Sequence, residues 1–126
     1  PPEGVAIDGR DLLPLATGEG AAAWERDTLF WQSGYYRVVR HGDWKLQVSE
    51  NPKKAWLYDL ATDPTEQNNL AESRTDKLRE LTSLLDAHKA SARKPLYPNT
   101  VEMPVAIDKT LAEPFTAGDE YIFWPN

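Results

Sequence analysis

Between positions 28 and 60 the chain alternates apolar and polar residues in short runs. "TLFWQS" (28–33) and "YYRVVR" (35–40) are rich in aromatic and β-branched residues and flank Gly34. In "DWKLQVS" (43–49), Trp44, Leu46 and Val48 face one way and Lys45 and Gln47 the other, the period of a half-buried strand. "AWLYDL" (55–60) reads as a fourth strand. His41-Gly42 has the length of a two-residue hairpin loop, and "ENPKK" (50–54) reads as a longer turn. Four strands joined by short turns predict an antiparallel meander.

From position 73 the period changes to that of a helix. Leu78, Leu81, Leu85 and His88 recur at helical spacing and Leu84 widens the stripe, which predicts a helix over 73–92 with His88 partly buried. Ser73 with Asp76 resembles a capping box, with Asp in place of the usual Glu. Lys89, Arg93 and Lys94 complement the dipole at the other end. Burying four leucines against the open sheet face contributes roughly 1.5–3 kcal/mol each. The expected fold class is α+β: a four-stranded antiparallel sheet packed against a C-terminal amphipathic helix, with a Pro-rich extended tail.

Two further segments bracket this unit, which spans 28–94. Residues 1–27 lead into it. They carry a turn signal at Asp8-Gly9 and a short helix over "DLLPLATG", with Asp11 as N-cap and Gly18 as its stop, followed by a loop over "EGAAAWERD". Residues 95–126 hold Pro95, Pro98, Pro104, Pro114 and Pro125, so regular helix or a central strand is not expected there. The same segment is too apolar for a disordered tail, with Val105, Ile107, Phe115, Tyr121, Ile122, Phe123 and Trp124. It reads as an extended arm packed on its own domain or on an absent neighbour.

Composition narrows the chemistry. The 126 residues fit one domain. A net charge of −6 argues against nucleic acid and anionic membrane as partners. No apolar run approaches the ~20 residues of a membrane span. With no cysteine, disulfides, thiolate metal sites and a Cys nucleophile are excluded, and two histidines are too few for a His-rich metal site. Pro1-Pro2-Glu3-Gly4 is not a signal peptide and lacks an initiator Met, so the chain reads as a processed product or a piece of something longer.

Three groups of residues invite a functional reading. Asp59, Asp63, Glu66, Asn68 and Asn69 gather oxygen in "WLYDLATDPTEQNNLA" (56–71), but a calcium loop needs six to eight oxygens and a Gly-permitted turn. This stretch has no Gly and is stiffened by Pro64, so turn and cap chemistry is the expectation and no metal ligand is assigned. His41 with Asp43 invites acid–base work, yet the predicted place of His41 is a solvated hairpin tip. Trp31, Trp44 and Trp56 lie one per strand and are expected to pack a core rather than to form a sugar platform.

The stretches "IDGRDLLPLATGE" (7–19), "RVVRHGDWKL" (37–46) and "LYDLATDPTEQNNLA" (57–71), in this order, resemble the C-terminal end of the sulfatase (arylsulfatase) family, within the alkaline phosphatase superfamily. The resemblance covers roughly residues 5–92 and does not reach the tail. It implies a large N-terminal catalytic domain followed by a small subdomain with a four-stranded sheet and a packed helix. It also implies hydrolysis of sulfuric esters, aryl or carbohydrate, by a formylglycine made from Cys or Ser in C/S-x-P-x-R, assisted by calcium. Here the chain departs from the family. It has no Cys, and Ser33, Ser49, Ser73, Ser83 and Ser91 all lack Pro at the third and Arg at the fifth position.

The expectation is therefore an inactive C-terminal subdomain. Its partner is the missing N-terminal sulfatase catalytic domain, which would carry formylglycine and Ca, with a sulfated small molecule or glycan as ligand. No catalytic residue and no cofactor is assigned to this chain. Gln32, Tyr35 and His41 are the candidate substrate-binding residues, the first two in the turn "QSGYY" (32–36), because Tyr stacking and Gln hydrogen bonds suit sugars. The resemblance is compatible with a periplasmic or secreted location without fixing one. Two rival readings are a free-standing carbohydrate-binding module with exposed Trp and Tyr, and the tail of a related phosphodiesterase or phosphonate hydrolase.

Overall fold

The computed structural model describes residues 4, 9, 11–18, 27–94, 96–97, 101–110 and 112–125. Four strands, β1 (Thr28–Ser33), β2 (Tyr36–His41), β3 (Trp44–Glu50) and β4 (Lys53–Asp59), form an antiparallel sheet in sequential order. Each connection is a two-residue turn. Gly34-Tyr35 joins β1 to β2, with Gly34 at φ 52°. Gly42-Asp43 joins β2 to β3, with Gly42 at φ 57°, a left-handed backbone that glycine adopts without a Cβ penalty. Asn51-Pro52 joins β3 to β4 through a cis peptide bond. The expected loops are corrected in two places. His41 is the last residue of β2, paired with Trp44, rather than a loop residue. The "ENPKK" turn is shorter than expected, because Glu50 pairs with Lys53 and both extend the ladder.

The register sorts the side chains onto two faces, because directly opposed residues share a face. Phe30, Val39, Leu46 and Leu57 line up across all four strands on one side. That side packs against the helix α2 (Thr75–Ser91). Val39, Leu46, Leu57 and Leu81 are fully buried and Leu85 nearly so, while Leu78 and Leu84 flank them. His88, expected to be partly buried, is exposed. It lies beyond the buried leucines in the last turn and stacks its ring on Phe30, with centroids 4.2 Å apart and planes within 1°. The predicted capping box does not form. The N-cap is Arg74, with no side-chain cap bond. Asp76 is taken by Arg74 at 3.2 Å, and the Ser73 hydroxyl donates to the Leu70 carbonyl instead.

The other face carries Trp31, Val38, Gln47 and Trp56 in one cross-strand row. It is covered on the β4 side by the C-terminal segment. That segment packs on its own domain. Its strands β5 (Glu102–Ala106) and β6 (Tyr121–Pro125) pair as a separate two-stranded antiparallel sheet. Ile122, 1% exposed, packs with Trp56 and Tyr58, and the Trp124 ring lies 5.9 Å from Tyr36. The prolines do not prevent this, because every strand of a two-stranded sheet is an edge strand. At the other end of the chain, α1 (Leu13–Ala16) buries none of its residues. Its N-cap is Leu12 rather than Asp11, although Asp11 Oδ1 still accepts from the Leu13 amide at 2.9 Å. Gly18, the predicted stop, has φ 76°. Most of the loop expected over 19–27, and Asp8 of the Asp8-Gly9 turn, lie outside the described residues.

β4 is an edge strand of the larger sheet, and the segment after it folds back to close that edge. Asn69 Oδ1 accepts from the amides of Leu57 and Ala71, both at 3.0 Å, while its Nδ2 donates to the Ala55 carbonyl at 3.1 Å. The Leu70 amide donates to the Leu57 carbonyl at 2.7 Å. A side-chain amide thus stands where a neighbouring strand would. Replacing Asn69 by Ala leaves the part-buried Leu57 amide unsatisfied and is expected to cost about 1–3 kcal/mol of stability. Asn69→Asp keeps the acceptor and should cost less. Urea unfolding of both variants, with the exposed Asn68→Ala as control, measures this.

Candidate functional site

The closing of the β4 edge also builds a wall. Downstream of β4, Asp63-Pro64 opens a tight turn in which the Asp63 carboxylate accepts from the Gln67 and Asn68 amides at 3.0 and 2.8 Å. These backbone bonds hold its pKa below the usual carboxylate range. Glu66 then adopts φ 58°, a left-handed backbone that costs a residue with a Cβ of order 1–3 kcal/mol. Its side chain reaches across to the sheet, where Oε1 accepts from Lys45 Nζ at 2.6 Å and Oε2 from Gln47 Nε2 at 2.7 Å. The Tyr36 hydroxyl donates to the other end of the Gln47 amide, so the buried Gln47 is held at both ends.

Across from this loop stands the connection between β5 and β6. Lys109 Nζ contacts Asp119 at 2.5 Å and also donates to the Pro114 carbonyl and the Thr116 hydroxyl, tying the connection to itself. The Lys109 contact, followed by the Thr116 amide, pulls the Asp119 carboxyl down to about 2. The connection is fixed to the sheet by the Trp56 indole N–H, which donates to Glu120, and by Lys54 at 3.8 Å from the same carboxylate.

Between loop and connection lies a groove of about 630 Å³, floored by Gln47, Trp56 and Tyr58 and walled by Glu66, Ile107 and Glu120 among others. Its volume falls in the roughly 300–1,000 Å³ range of small-ligand sites. Tyr58 is 9% exposed and lines the groove. Burial, then the charges of Glu66 and Glu120, push its pKa up to about 12, so the phenol is a neutral donor at physiological pH. Burial and Glu66 raise Tyr36 as well.

The groove offers carboxylate acceptors, a phenol donor and a partly apolar floor. Its described lining includes no Ser, Cys or His. Among the described residues no three His, Cys, Asp or Glu gather as metal ligands. Four of the five oxygen-bearing side chains of the 56–71 stretch bond within the protein: Asp59 to the Ala61 amide, Asp63 to its own turn, Glu66 to the sheet and Asn69 to the β4 edge.

The residues singled out from the sequence lie elsewhere. Gln32 is exposed and pairs with Arg37, and Tyr35, 40% exposed, sits in the β1–β2 turn. His41 is at the opposite end of β2, four residues beyond Arg37, a separation of about 13 Å along the strand. It is half-buried rather than solvated at a tip, with Nδ1 2.7 Å from the Thr28 hydroxyl. The structure thus keeps Gln32 and Tyr35 near each other and His41 apart from both. The groove residues were missed. Gln47 was legible as a polar residue on the second face of β3, and Glu66 was weighed only as a metal ligand. Tyr58 and Glu120 gave no local signal, since a contact spanning 64 positions joins Trp56 to Glu120.

Removing the Glu66 charge should lower the pKa of Tyr58 towards its ordinary value of 10. The sign follows from linkage. A pKa raised in the folded state contributes stability that is complete below pH 10 and is lost as pH rises through about 12. In a spectrophotometric alkaline titration, Glu66→Gln should therefore bring forward the last phenol steps, and Tyr58→Phe should delete one of them. An unchanged titration in Glu66→Gln would count against this geometry.

No protein-family model matches the chain. The chain is similar to an N-acetylgalactosamine-6-O-sulfatase of Bacteroides thetaiotaomicron, 29% identical over 101 residues, a match that covers 70% of this chain and 20% of that protein. The chain thus spans about a fifth of the length of this relative.

Proposed function

We propose that this chain is the C-terminal subdomain of a sulfatase, a hydrolase of carbohydrate or aryl sulfates, and that it packs on the catalytic domain and helps shape its substrate cleft. The similarity to the Bacteroides sulfatase carries this reading. The fold is consistent with it, since the stretch "LYDLATDPTEQNNLA" forms the end of β4 and the segment that closes its edge. The residues of this chain do not supply the chemistry. They include no Cys, and no Ser stands in the S-x-P-x-R pattern from which formylglycine is made. Formylglycine and calcium belong, on this reading, to the domain in front.

Exposed apolar surface is available for that docking. Leu12, Leu13 and Leu15 around α1 are 62%, 65% and 46% exposed, and Trp31 on β1 is 53% exposed. Trp31 lies on the sheet face away from α2, beside the half that β6 covers. Covering these side chains would return the apolar burial that the chain alone lacks. The catalytic domain is the occupant that the similarity points to.

The purified chain should not hydrolyse an aryl sulfate, with or without calcium, whereas the longer protein that contains it should. The decisive measurement is turnover of an aryl sulfate and of a sulfated amino sugar by both proteins. Robust turnover by the chain alone would sink the proposal, as would an upstream sequence without C/S-x-P-x-R.

A further inference from the structure

We infer that the cavity at the β3–β4 turn end of the α2 face is a site for a small molecule that carries one carboxylate on an apolar body. The observation that carries it is Arg37, which lines this cavity of about 560 Å³ with a side chain only 12% exposed. Its Nε is the one buried side-chain nitrogen or oxygen among the described residues without a hydrogen-bond partner. Nη1 donates to Asp86 Oδ1 at 3.1 Å, while Nη2 stands 3.5 Å from Glu50 Oε1, too far for a strong hydrogen bond. The guanidinium edge formed by Nε and Nη2 is therefore under-used. That edge is a planar fork of two donors, and a carboxylate fills such a fork with two parallel bonds. A buried donor left unpaired is costly, so a ligand that completes the fork gains more than one that meets a solvated arginine.

The surroundings fit one negative charge and an apolar body. Val48 and Ala55, both half-buried, continue the cross-strand row of Arg37 and give the cavity an apolar floor, with Thr82 contributed by α2. Lys53 also lines the cavity, is exposed, and forms no ion pair among the described residues. The ammonium of Lys54 is held only at 3.8 Å, by Glu120. The carboxylates that face Arg37 are Asp86, bound to Nη1, and Glu50. Glu50 is 48% exposed and lies closer to Lys89, at 3.1 Å, so it can leave Nη2 and keep a cation. The cavity thus has cations for one added charge, in a chain whose net charge is −6. A doubly charged oxyanion would be repelled by Glu50 and Asp86. A neutral apolar molecule would leave Nε unpaired, and a metal cation would meet Arg37 and Lys53. The ligand class is argued from this cavity alone and does not rest on the sulfatase reading.

The test is an NMR titration of the full chain with benzoate, benzyl alcohol and inorganic sulfate at constant ionic strength. It follows the Arg37 Nε–H and the backbone amides of Val48 and Ala55, which lie in the same cross-strand row. One bidentate ion pair with a small apolar contact should bind at roughly millimolar concentration, so titration to about 30 mM suffices. The expected result is a saturable shift with benzoate, and binding at least about tenfold weaker for the neutral alcohol and for sulfate. Arg37→Lys keeps the charge and removes the fork, and should weaken benzoate binding about 5–10-fold, read at the Val48 and Ala55 amides. Should Arg37→Lys unfold, Lys53→Gln at the exposed rim decides in its place, with an expected weakening of about threefold. Lys77→Gln makes the same change of charge at the other end of α2 and should bind as the parent does. Absence of a saturable benzoate shift, equal binding of benzyl alcohol or sulfate, or undiminished binding by the deciding variant would overturn the inference. Such a failure leaves the sulfatase reading standing, because that reading is decided by turnover of the longer protein.

Discussion

The carboxamide of Asn69 lies along the outer edge of β4 and makes three bonds there and to the chain behind it. An exposed edge of unpaired backbone groups is a site for adventitious pairing, and proteins close such edges with another strand, a charge or a covering loop. Here one side chain with a donor and an acceptor does the work of a strand, helped by the Leu70 amide. Much else follows from that contact. It fixes the loop from 61 to 70 against the sheet, so that Ala71 enters the core and α2 starts in position to lay Leu81 and Leu85 on the opposite face. It also sets Glu66 within reach of Lys45 and Gln47.

The same loop therefore serves both faces of the sheet through different physics. On the α2 face the forces are apolar burial among Val39, Leu46, Leu57 and the helix leucines. On the other face they are directional. Glu66 accepts two bonds from β3, Gln47 is held between Glu66 and Tyr36, and Trp56 is joined to Glu120. A residue with a Cβ tolerates a left-handed backbone at Glu66 only where its surroundings over-determine it, and these bonds supply that constraint. Concentrating carboxylates beside buried phenols has a further effect: each negative charge makes ionisation of Tyr36 and Tyr58 harder, which keeps both as donors.

The period-two pattern made the sheet legible from sequence, and the leucine spacing did the same for α2. Errors arose where a local rule met a longer-range contact. Asp43 has as much turn character as His41, and pairing of His41 with Trp44 and Thr28 moved the loop along by one residue. His88 keeps helical spacing with the leucines but lies past the end of the core, where stacking on Phe30 replaces burial. Asp76 has the position of a capping-box acid, but Arg74, which also lies over the Trp44 ring at 5.0 Å, claims it. In the tail, Pro104 and Pro125 ruled out only a central strand, and the pairing of β5 with β6 as edge strands was not legible. The groove was illegible for a related reason: it forms where residues near 45, 58, 66 and 120 converge, and nothing short-range connects them.

On the proposed reading, this division bears on what the chain would contribute to a sulfatase. The sequence holds no formylglycine precursor motif, so on that reading its contribution would be made through binding and positioning. Binding in turn requires a surface whose geometry does not relax when a ligand arrives. The groove meets that requirement because each wall is fixed by several bonds: the loop by Asn69, Leu70 and Glu66, and the connection by Lys109, Asp119 and Glu120. The turn "QSGYY" has fewer such restraints, with Gln32 and Tyr35 both exposed. Of the two surfaces, the groove beside Tyr58 is the one whose walls are held by more bonds.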